Sequence, residues 1–236
     1  MHLLPTATAI DEVDRAADVA VLPIGSFEQH GSHLPLATDT IVAHAIGKCI
    51  ADAYELLLLP PITISCSHEH SGLHAGTVSI SAKTLYDVVF DIARSLEHAG
   101  IQKMALISGH GGNYVLSNIT QEANTKERRI LLYPSNTAWD QAHRDAGLLT
   151  SGHDDMHGGE RETSILLHVA PELVNDSFHT ADHDAPARPD LLTIGMAGYT
   201  ASGIIGHPSL ATATKGATLL GSLTDSFADR LAVLRG

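Results

Sequence analysis

Side chains that commonly bind metal ions cluster near the N-terminus, directly after the apolar run Val19–Ile24. Within twelve residues the chain carries Glu28, His30, His33 and Asp39. Glu28 and His30 are two residues apart, so in an extended segment their side chains leave the same side of the chain. Carboxylate and imidazole ligands together suit zinc, iron or manganese better than calcium, which takes oxygen ligands only. The pattern predicts a transition-metal site, although Asp39 could instead cap a helix and Glu28 could be a solvated charge.

Two further segments carry polar residues that could border a pocket. The polar loop 65–76 is rich in histidine, includes His70, and is long enough to line a site. The turn 109–113 holds His110 between glycines, and Gly111 and Gly112 would allow a close backbone approach to a ligand. No Walker lysine follows this turn and the Gly-x-Gly-x-x-Gly spacing is absent, so phosphate binding is not indicated.

A third segment contains His157, Glu160 and Glu162 around a glycine pair. A helix that began before His157 would place His157 and Glu160 on one face, because they are three residues apart. If the pair Gly158-Gly159 delays the helix, His157 lies in a loop and Glu162 lies in the first turn. In that case His157 and Glu162 would face the site. The residues alone leave both arrangements open.

Strand and helix patterns alternate along the chain. The strand patterns cover residues 19–24, 56–59 with 62–64, 103–108 and 129–133. The helix patterns cover residues 40–54, 82–98 and 113–126. This alternation predicts right-handed βαβ units, that is, an α/β fold in which a mainly parallel central sheet forms a three-layer α/β/α sandwich. Such sheets bind ligands at the carboxyl ends of their strands, so we expect Glu28, His30 and His110 to converge with the 65–76 loop.

The remaining segments carry weaker patterns. We expect a short strand at 77–80, a short helix and mobile cover at 139–152, and a surface loop at 175–190. The glycine-rich stretch 193–209 suggests strands or an oligomer contact, and 217–234 suggests a terminal helix. Neither a linker nor an internal repeat interrupts the pattern, so we expect a single domain over 1–236.

Composition excludes several classes of function. The formal charge of −13, with only 14 Lys and Arg, disfavours a nucleic-acid partner. No segment approaches the roughly 18 apolar residues of a membrane span, and the start of the chain lacks the basic and hydrophobic regions of a secretory signal. Cys49 and Cys66 are the only cysteines, which fits a reducing, cytoplasmic environment.

Three motifs, taken together, resemble the creatininase family of metal hydrolases. They are Gly-Ser-Phe-Glu-Gln-His-Gly-Ser-His-Leu-Pro-Leu at 25–36 with Asp39, Ser-Gly-His-Gly-Gly-Asn at 108–113, and His-Gly-Gly-Glu-Arg-Glu-Thr-Ser at 157–164. The resemblance spans about residues 19–170 and implies a site for two divalent ions. By position, Glu28, Asp39 and His110 would hold one ion, while His30 and Asp39 would hold the other.

One departure from the family pattern concerns the second ion. Creatininase has a glutamate two residues after the strand-end histidine, where this chain has Gly112. We assign the missing ligand to Glu162, which matches the glutamate of the family's Glu-Thr-Ser motif. His157 matches a family histidine beside the substrate and would be the catalytic proton donor or acceptor. We assign Gly111, Gly112 and His70 to substrate contact.

A second departure concerns the substrate. Creatininase packs its planar substrate against tryptophans, one of which corresponds to His153 here, and the chain has only Trp139. This argues against creatinine. The Gly-Gly form of the middle motif is more similar to the branch that contains the mycofactocin-precursor peptidase and the formamidopyrimidine-type deformylases.

The resemblance and the ligand types together predict a reaction. Two metal ions, zinc with zinc, manganese or iron, would share a hydroxide that attacks an amide-type carbonyl. The substrate would be a small molecule such as a cyclic amide or formamide, or a small modified peptide precursor of the mycofactocin type. The alternative to an enzyme is a metal- or ligand-binding relic that lost turnover. The resemblance also implies a homo-oligomer, often a hexamer.

Overall fold

The sheet is built from four short parallel strands at the centre of the chain's fold. The computed structural model describes residues 3–236; Met1 and His2, at the chain start where no secretory signal is predicted, lie outside the described residues. The strands are β1 (Val19–Ile24), β2 (Leu57–Leu58), β3 (Lys103–Ser108) and β4 (Ile130–Tyr133), in the spatial order β2-β1-β3-β4. All pairings are parallel, and β1 runs beside β3 over its whole length, from Val19 opposite Lys103 to Ile24 opposite Ser108.

Helices cover both faces of this sheet. Their bounds are α1 Ala9–Arg15, α2 Thr38–Tyr54, α3 Ala82–His98, α4 Val115–Ala123, α5 Asn136–Ala146, α6 Glu160–Val169, α7 Leu191–Ile194 and α8 Ala213–Arg235. Successive residues of a strand point to opposite faces, so β1 contributes Val19 and Val21 to one core and Ala20 and Leu22 to the other. The first core includes residues of α2, α5, α6 and α8, and the second includes residues of α3 and α4. The predicted three-layer α/β/α sandwich is therefore confirmed.

Some element boundaries differ from the sequence-based expectation. Residues 62–64 and 77–80 form no strand, and only single bridges join Ile62 to Ile24 and Val78 to Phe27. Proline lacks a backbone N–H, so Pro60-Pro61 interrupts the ladder after the two residues of β2. Helix α2 begins at Thr38, two residues earlier than expected.

The C-terminal half shows similar differences. The stretch 193–209, for which strands were one expectation, contains the end of α7 and 3-10 turns instead. Its two isolated bridges join Ile205 to His157 and Gly206 to His183. In 139–152, the expected short helix is the larger part of α5, which packs against α8. Within residues 3–236, no helix is both long and apolar enough to span a membrane.

The N-terminus of α2 lies directly on the ends of β1 and β3. Gly25 and Gly109 follow these two strands. A Cβ atom built on Gly109 would collide with the backbone oxygen of Asp39, and one built on Gly25 would collide with the backbone of Thr40. The absence of side chains at both positions lets α2 approach the strands, and this approach brings Asp39 to the carboxyl edge of the sheet.

We expect Gly109→Ala to destabilise the fold by about 1–3 kcal/mol, because an added methyl must displace backbone rather than a flexible side chain. Urea unfolding of the metal-free protein measures the change. Gly111→Ala is the matched control, since a Cβ at that position has no atom within 4 Å. Equal stability of the two variants would contradict the close approach described above.

Candidate metal centre

The carboxyl edge of the sheet gathers side chains from four separate segments. Glu28 and His30 follow β1, and Asp39 lies in the first turn of α2. His110 follows β3, and Glu162 lies in the first turn of α6. All five side chains are buried. These are the five residues for which the sequence predicts metal ligation, and the structure brings them together.

The five residues form two groups that share Asp39. In the first, Nδ1 of His110 lies 3.1 Å from Oε1 of Glu28 and 3.0 Å from Oδ2 of Asp39. In the second, Nε2 of His30 lies 3.1 Å from Oδ1 of Asp39 and 3.8 Å from Oε2 of Glu162. In each group, potential ligand atoms from all three residues lie within 4.8 Å of one another. Because each carboxylate oxygen of Asp39 faces a different group, this residue has the geometry of a bridging ligand.

A third group of the same kind consists of Glu28, His30 and His157. His157 lies in the loop before α6, which begins at Glu160, so the glycine pair does delay the helix. Nε2 of His157 donates a hydrogen bond to the backbone oxygen of Gln29 at 2.6 Å. Since a carbonyl oxygen only accepts, Nε2 carries the proton and Nδ1 is left with a lone pair, 3.8 Å from Oε1 of Glu28.

Glu160 belongs to the structural framework instead. Its carboxylate accepts hydrogen bonds from the backbone N–H groups of Leu149 and Thr150 and pairs with Lys215. These contacts tie the loop before the third motif to α8. Of the two arrangements left open for this motif, the structure thus has the one in which His157 and Glu162 face the site.

The state of Glu28 tests whether a cation fits here. Both of its carboxylate oxygens are buried, and neither has a hydrogen-bond partner, although Nε2 of His70 lies 3.2 Å and Nδ1 of His110 lies 3.1 Å from Oε1. A buried carboxylate without a partner is costly, and metal coordination is one of the arrangements that compensates such a charge. The nitrogen and oxygen donors around Glu28 suit zinc, manganese or iron. The residues present therefore fit divalent cations.

Burial and neighbouring charges shift the pKa values of these groups in opposite directions. Burial disfavours a charged His30, yet Asp39, Glu162 and Glu28 raise the pKa of His30 to about 9. Burial likewise disfavours a charged Asp39, but the imidazoles of His30 and His110 hold the pKa of its carboxyl well below the usual value. Burial raises the pKa of Glu162. Without metal, the carboxylates thus retain protons on the imidazoles, and metal binding must release them.

His157 behaves differently from the other imidazoles. Burial, followed by the proximity of His30 and His70, holds the pKa of His157 well below its usual value. Its ring is therefore neutral in this setting. A neutral imidazole with a free Nδ1 can accept a proton, and this property separates His157 from the protonated His30 beside it.

Hydrogen bonds orient the candidate ligands. Oγ of Ser26 donates to Oδ2 of Asp39 at 2.8 Å, and the backbone N–H of Gly158 donates to Oε2 of Glu162 at 2.7 Å. Nδ1 of His30 lies 3.1 Å from the backbone oxygen of Glu28, which leaves Nε2 facing Asp39. Such partners fix the tautomer and direction of a ligand and raise its affinity for a metal.

The structure places the other sequence-predicted residues less centrally. His33 belongs to none of the ligand groups; its Nε2 lies 3.1 Å from Oγ1 of Thr163. Burial, with a smaller contribution from the charge of His30, lowers the pKa of His33 to about 4. His70 is buried beside Glu28, and Gly111 lines a cavity next to the centre. The assignment of His70, Gly111 and Gly112 to substrate contact remains a prediction.

Two residues at the centre were not predicted. The side-chain amide nitrogen of Gln29 lies 3.1 Å from Nδ1 of His70 and donates to the backbone oxygen of Gly203 at 3.0 Å. Oε1 of Glu69 lies 3.3 Å from Nε2 of His110. The only signals for them were their positions, between Glu28 and His30 for Gln29 and next to His70 for Glu69.

A cavity of about 280 Å³ opens beside His110 and Glu162. Its lining includes Tyr114, Trp139 and Arg161. The guanidinium carbon of Arg161 lies 4.7 Å from the centre of the Trp139 ring, a cation–π arrangement. A small molecule or the end of a peptide would reach the candidate ligands through this cavity.

Comparison with known proteins agrees with this centre. The family model "Creatininase: Creatinine amidohydrolase" matches residues 5–231. The mycofactocin precursor peptide peptidase of Mycobacterium ulcerans is 32% identical over 224 residues, covering 90% of this chain and 84% of the relative. The creatinine amidohydrolase of Pseudomonas putida is 28% identical over 232 residues, covering 90% and 88%. A solved structure named "Creatininase Mn" has a TM-score of 0.79 at 27% identity and covers 96% of this chain and 95% of that one. The three motifs, the α/β sandwich and these matches together show that the chain belongs to the creatininase family.

Proposed function

We propose that this protein is a dinuclear metal-dependent amidohydrolase that cleaves an amide-type C–N bond. The observation that carries the proposal is the position of Asp39, whose two oxygens face two ligand groups, one with Glu28 and His110 and one with His30 and Glu162. Peptidases and amidohydrolases both hydrolyse such a bond, and the relatives named above include both kinds.

The residues at the centre would have separate roles in metal binding and proton transfer. Glu28, His110 and Asp39 would hold one ion, and Asp39, His30 and Glu162 would hold the other. Bound there, divalent ions would supply Lewis-acid chemistry, that is, a lowered pKa of water and a polarised substrate carbonyl. His157 takes up a proton at Nδ1 and delivers it to the leaving nitrogen, while its Nε2–H stays on the backbone oxygen of Gln29.

The proposed substrates are a cyclic amide, a formamide or a small modified peptide. A peptide substrate is supported by the relative named mycofactocin precursor peptide peptidase. Zinc with zinc, manganese or iron is proposed for the ion pair, and the relative structure named "Creatininase Mn" supports manganese. A relic without turnover is disfavoured because the hydrogen bond from Nε2 of His157 to the backbone oxygen of Gln29 leaves its Nδ1 facing the ligand groups, where a proton carrier is needed.

Homo-oligomeric assembly, with a hexamer as the family-based expectation, and a cytoplasmic location stay predictions. Ile194, 53% accessible, lies at the start of the stretch 193–209 for which an oligomer contact is predicted, and Leu192, 79% accessible, lies directly before that stretch. A partner subunit could cover them.

We expect Asp39→Ala to abolish hydrolysis and to remove both ions, because both groups lose a shared ligand. Elemental analysis gives the metal content, and a screen of metal-loaded enzyme against formamides, cyclic ureides and short peptides gives the activity. Asp52→Ala is the control, since this carboxylate lies on the same helix with its side chain 66% exposed. Activity that persists after loss of metal would refute the mechanism.

His157→Gln should lower kcat by about 10²–10⁴-fold, the range of general acid–base catalysis, and leave two ions bound. Steady-state kinetics and elemental analysis on the same preparation check both parts. His168→Gln, at an exposed position of α6, serves as control. If the variant binds one ion fewer, His157 is a ligand and its role as proton carrier is wrong.

A further inference from the structure

The space beside Gly112 is filled by a glutamate from another segment. A Cβ atom built on Gly112 would collide with Oε1 of Glu69 and with Nε2 of His110. Glu69 lies on the 3-10 turn His68–His70, more than forty residues earlier in the chain. A carboxylate thus stands where a side chain at position 112 would begin, and this chain reaches that place from the 65–76 loop.

The contacts of His110 define what Glu69 does there. Nδ1 of His110 faces Glu28 and Asp39, whereas Nε2 faces Oε1 of Glu69 at 3.3 Å and the backbone oxygen of Cys66 at 2.9 Å. Both neighbours on the Nε2 side are acceptors, so Nε2 carries a proton and Nδ1 is directed at the ligand group. Glu69 lies across the imidazole ring from that group and belongs to none of the candidate ligand sets.

The backbone of the segment around Gly195 passes close to that of Glu69. The chain passes Glu69 at Gly195, where an added Cβ would lie 2.7 Å from the backbone oxygen of Glu69. The turn that carries Glu69 also carries His70, whose Nε2 lies 3.2 Å from Oε1 of Glu28. The turn therefore reaches two members of the first ligand group at once, through Glu69 to His110 and through His70 to Glu28.

We propose that Glu69 is a positioning residue that accepts the Nε2–H of His110 and so fixes its Nδ1 toward the first ion. This inference rests on the proposed metal centre. Carboxylate partners of ligating histidines raise ligand basicity, and their loss typically costs 10–100-fold in metal affinity. Gly112 is then glycine because any side chain would displace the Glu69 carboxylate.

The test measures Co²⁺ affinity by chelator competition, together with the visible absorption of the Co²⁺-loaded protein. Glu69→Ala should weaken the tighter binding step by about 10–100-fold and change the spectrum. Glu69→Gln keeps an acceptor oxygen and should lose less. Gly112→Ala should weaken binding as well, since its methyl must push Glu69 or His110 aside.

His74→Ala, an exposed change in the same loop, is the control and should bind Co²⁺ as the unmodified protein does. If the unmodified protein binds two ions and Glu69→Ala binds them equally well with the same spectrum, the positioning role is wrong and the metal centre stands. If the unmodified protein binds no Co²⁺, the metal centre and this inference both fail. Equal losses in Glu69→Gln and Glu69→Ala with an unchanged spectrum would also overturn the hydrogen-bond role.

Independently, the cavity beside the centre presents a guanidinium, that of Arg161, whose charge acts on the nearby carboxyls of Asp155 and Glu162 without forming an ion pair with either. Arg161 stacks on Trp139, and its side chain forms no ion pair with a carboxylate in the described part of the chain. Asp155 lies near but accepts the backbone N–H of Arg161 instead, at 2.9 Å. In a chain of net charge −13, an unpaired guanidinium in a cavity next to a hydrolytic centre is available to an anion from outside.

We infer that the cavity binds substrates that carry a carboxylate, with Arg161 as the recognising residue. This inference deepens the proposed function, and it concerns the same site. The indole ring holds the guanidinium in one plane, and a planar guanidinium suits a carboxylate because two parallel N–H donors can face its two oxygens.

Trp139 is the only tryptophan of the chain, so its fluorescence reports on this cavity. We expect hippurate to quench it saturably in the metal-loaded protein and the neutral hippuramide to bind at least about 10-fold more weakly. Arg161→Gln should remove that preference, and Arg144→Gln, at an exposed position on α5, should keep it.

These measurements do not require turnover, so they test the role of Arg161 independently of the proposed reaction. Equal affinity for hippurate and hippuramide in the unmodified protein would overturn the carboxylate preference. A preference that survives Arg161→Gln would show that the carboxylate binds elsewhere, for example at the metal ions, and would overturn the role of Arg161.

Discussion

The structure depends on the burial of carboxylates and imidazoles beside one another. Asp39 is 1% exposed and lies between His30 and His110. Burial of the charge of any one of these three side chains alone would be unfavourable. Opposite charges compensate part of the cost, as where His70 and His110 approach Oε1 of Glu28. Neither oxygen of Glu28 accepts a hydrogen bond, so the compensation within the chain is incomplete. A pair of divalent cations would supply the remainder, which relates the fold to the proposed chemistry.

The close packing of α2 on the ends of β1 and β3 holds this arrangement in place. Parallel strands end together at one edge, and glycines after β1 and β3 let a helix begin almost on top of them. Asp39 is therefore held by backbone packing rather than by a flexible loop. A site built on strand ends and first helical turns keeps its geometry more rigidly than a site built on loops, as the proposed two-metal hydrolysis would require.

Much of this could be predicted from local patterns. Apolar runs and helical periodicity located the sheet and the main helices. The resemblance of three motifs to a known family named Glu28, His30, Asp39, His110 and Glu162, which the structure brings together. Local patterns failed where tertiary contacts decide. The choice between Glu160 and Glu162 depended on where α6 begins, and Glu160 is occupied by Lys215, 55 residues away. Glu69 was missed for the same reason, since only folding brings it to Gly112.

The antiparallel bridge between His157 and Ile205 has a mechanical consequence. Two backbone hydrogen bonds of 2.9 Å tie the segment after Gly203 to His157, the proposed proton carrier, and the backbone oxygen of Gly203 accepts a hydrogen bond from the side-chain amide of Gln29. A displacement of this segment would also move the imidazole of His157 and Gln29, the residue whose backbone oxygen sets the tautomer of that imidazole. The bridging residue Ile205 lies eleven residues after Ile194, the end of α7, so a molecule that docks on the exposed residues of α7 would be connected through this stretch of backbone to His157, the proposed proton carrier.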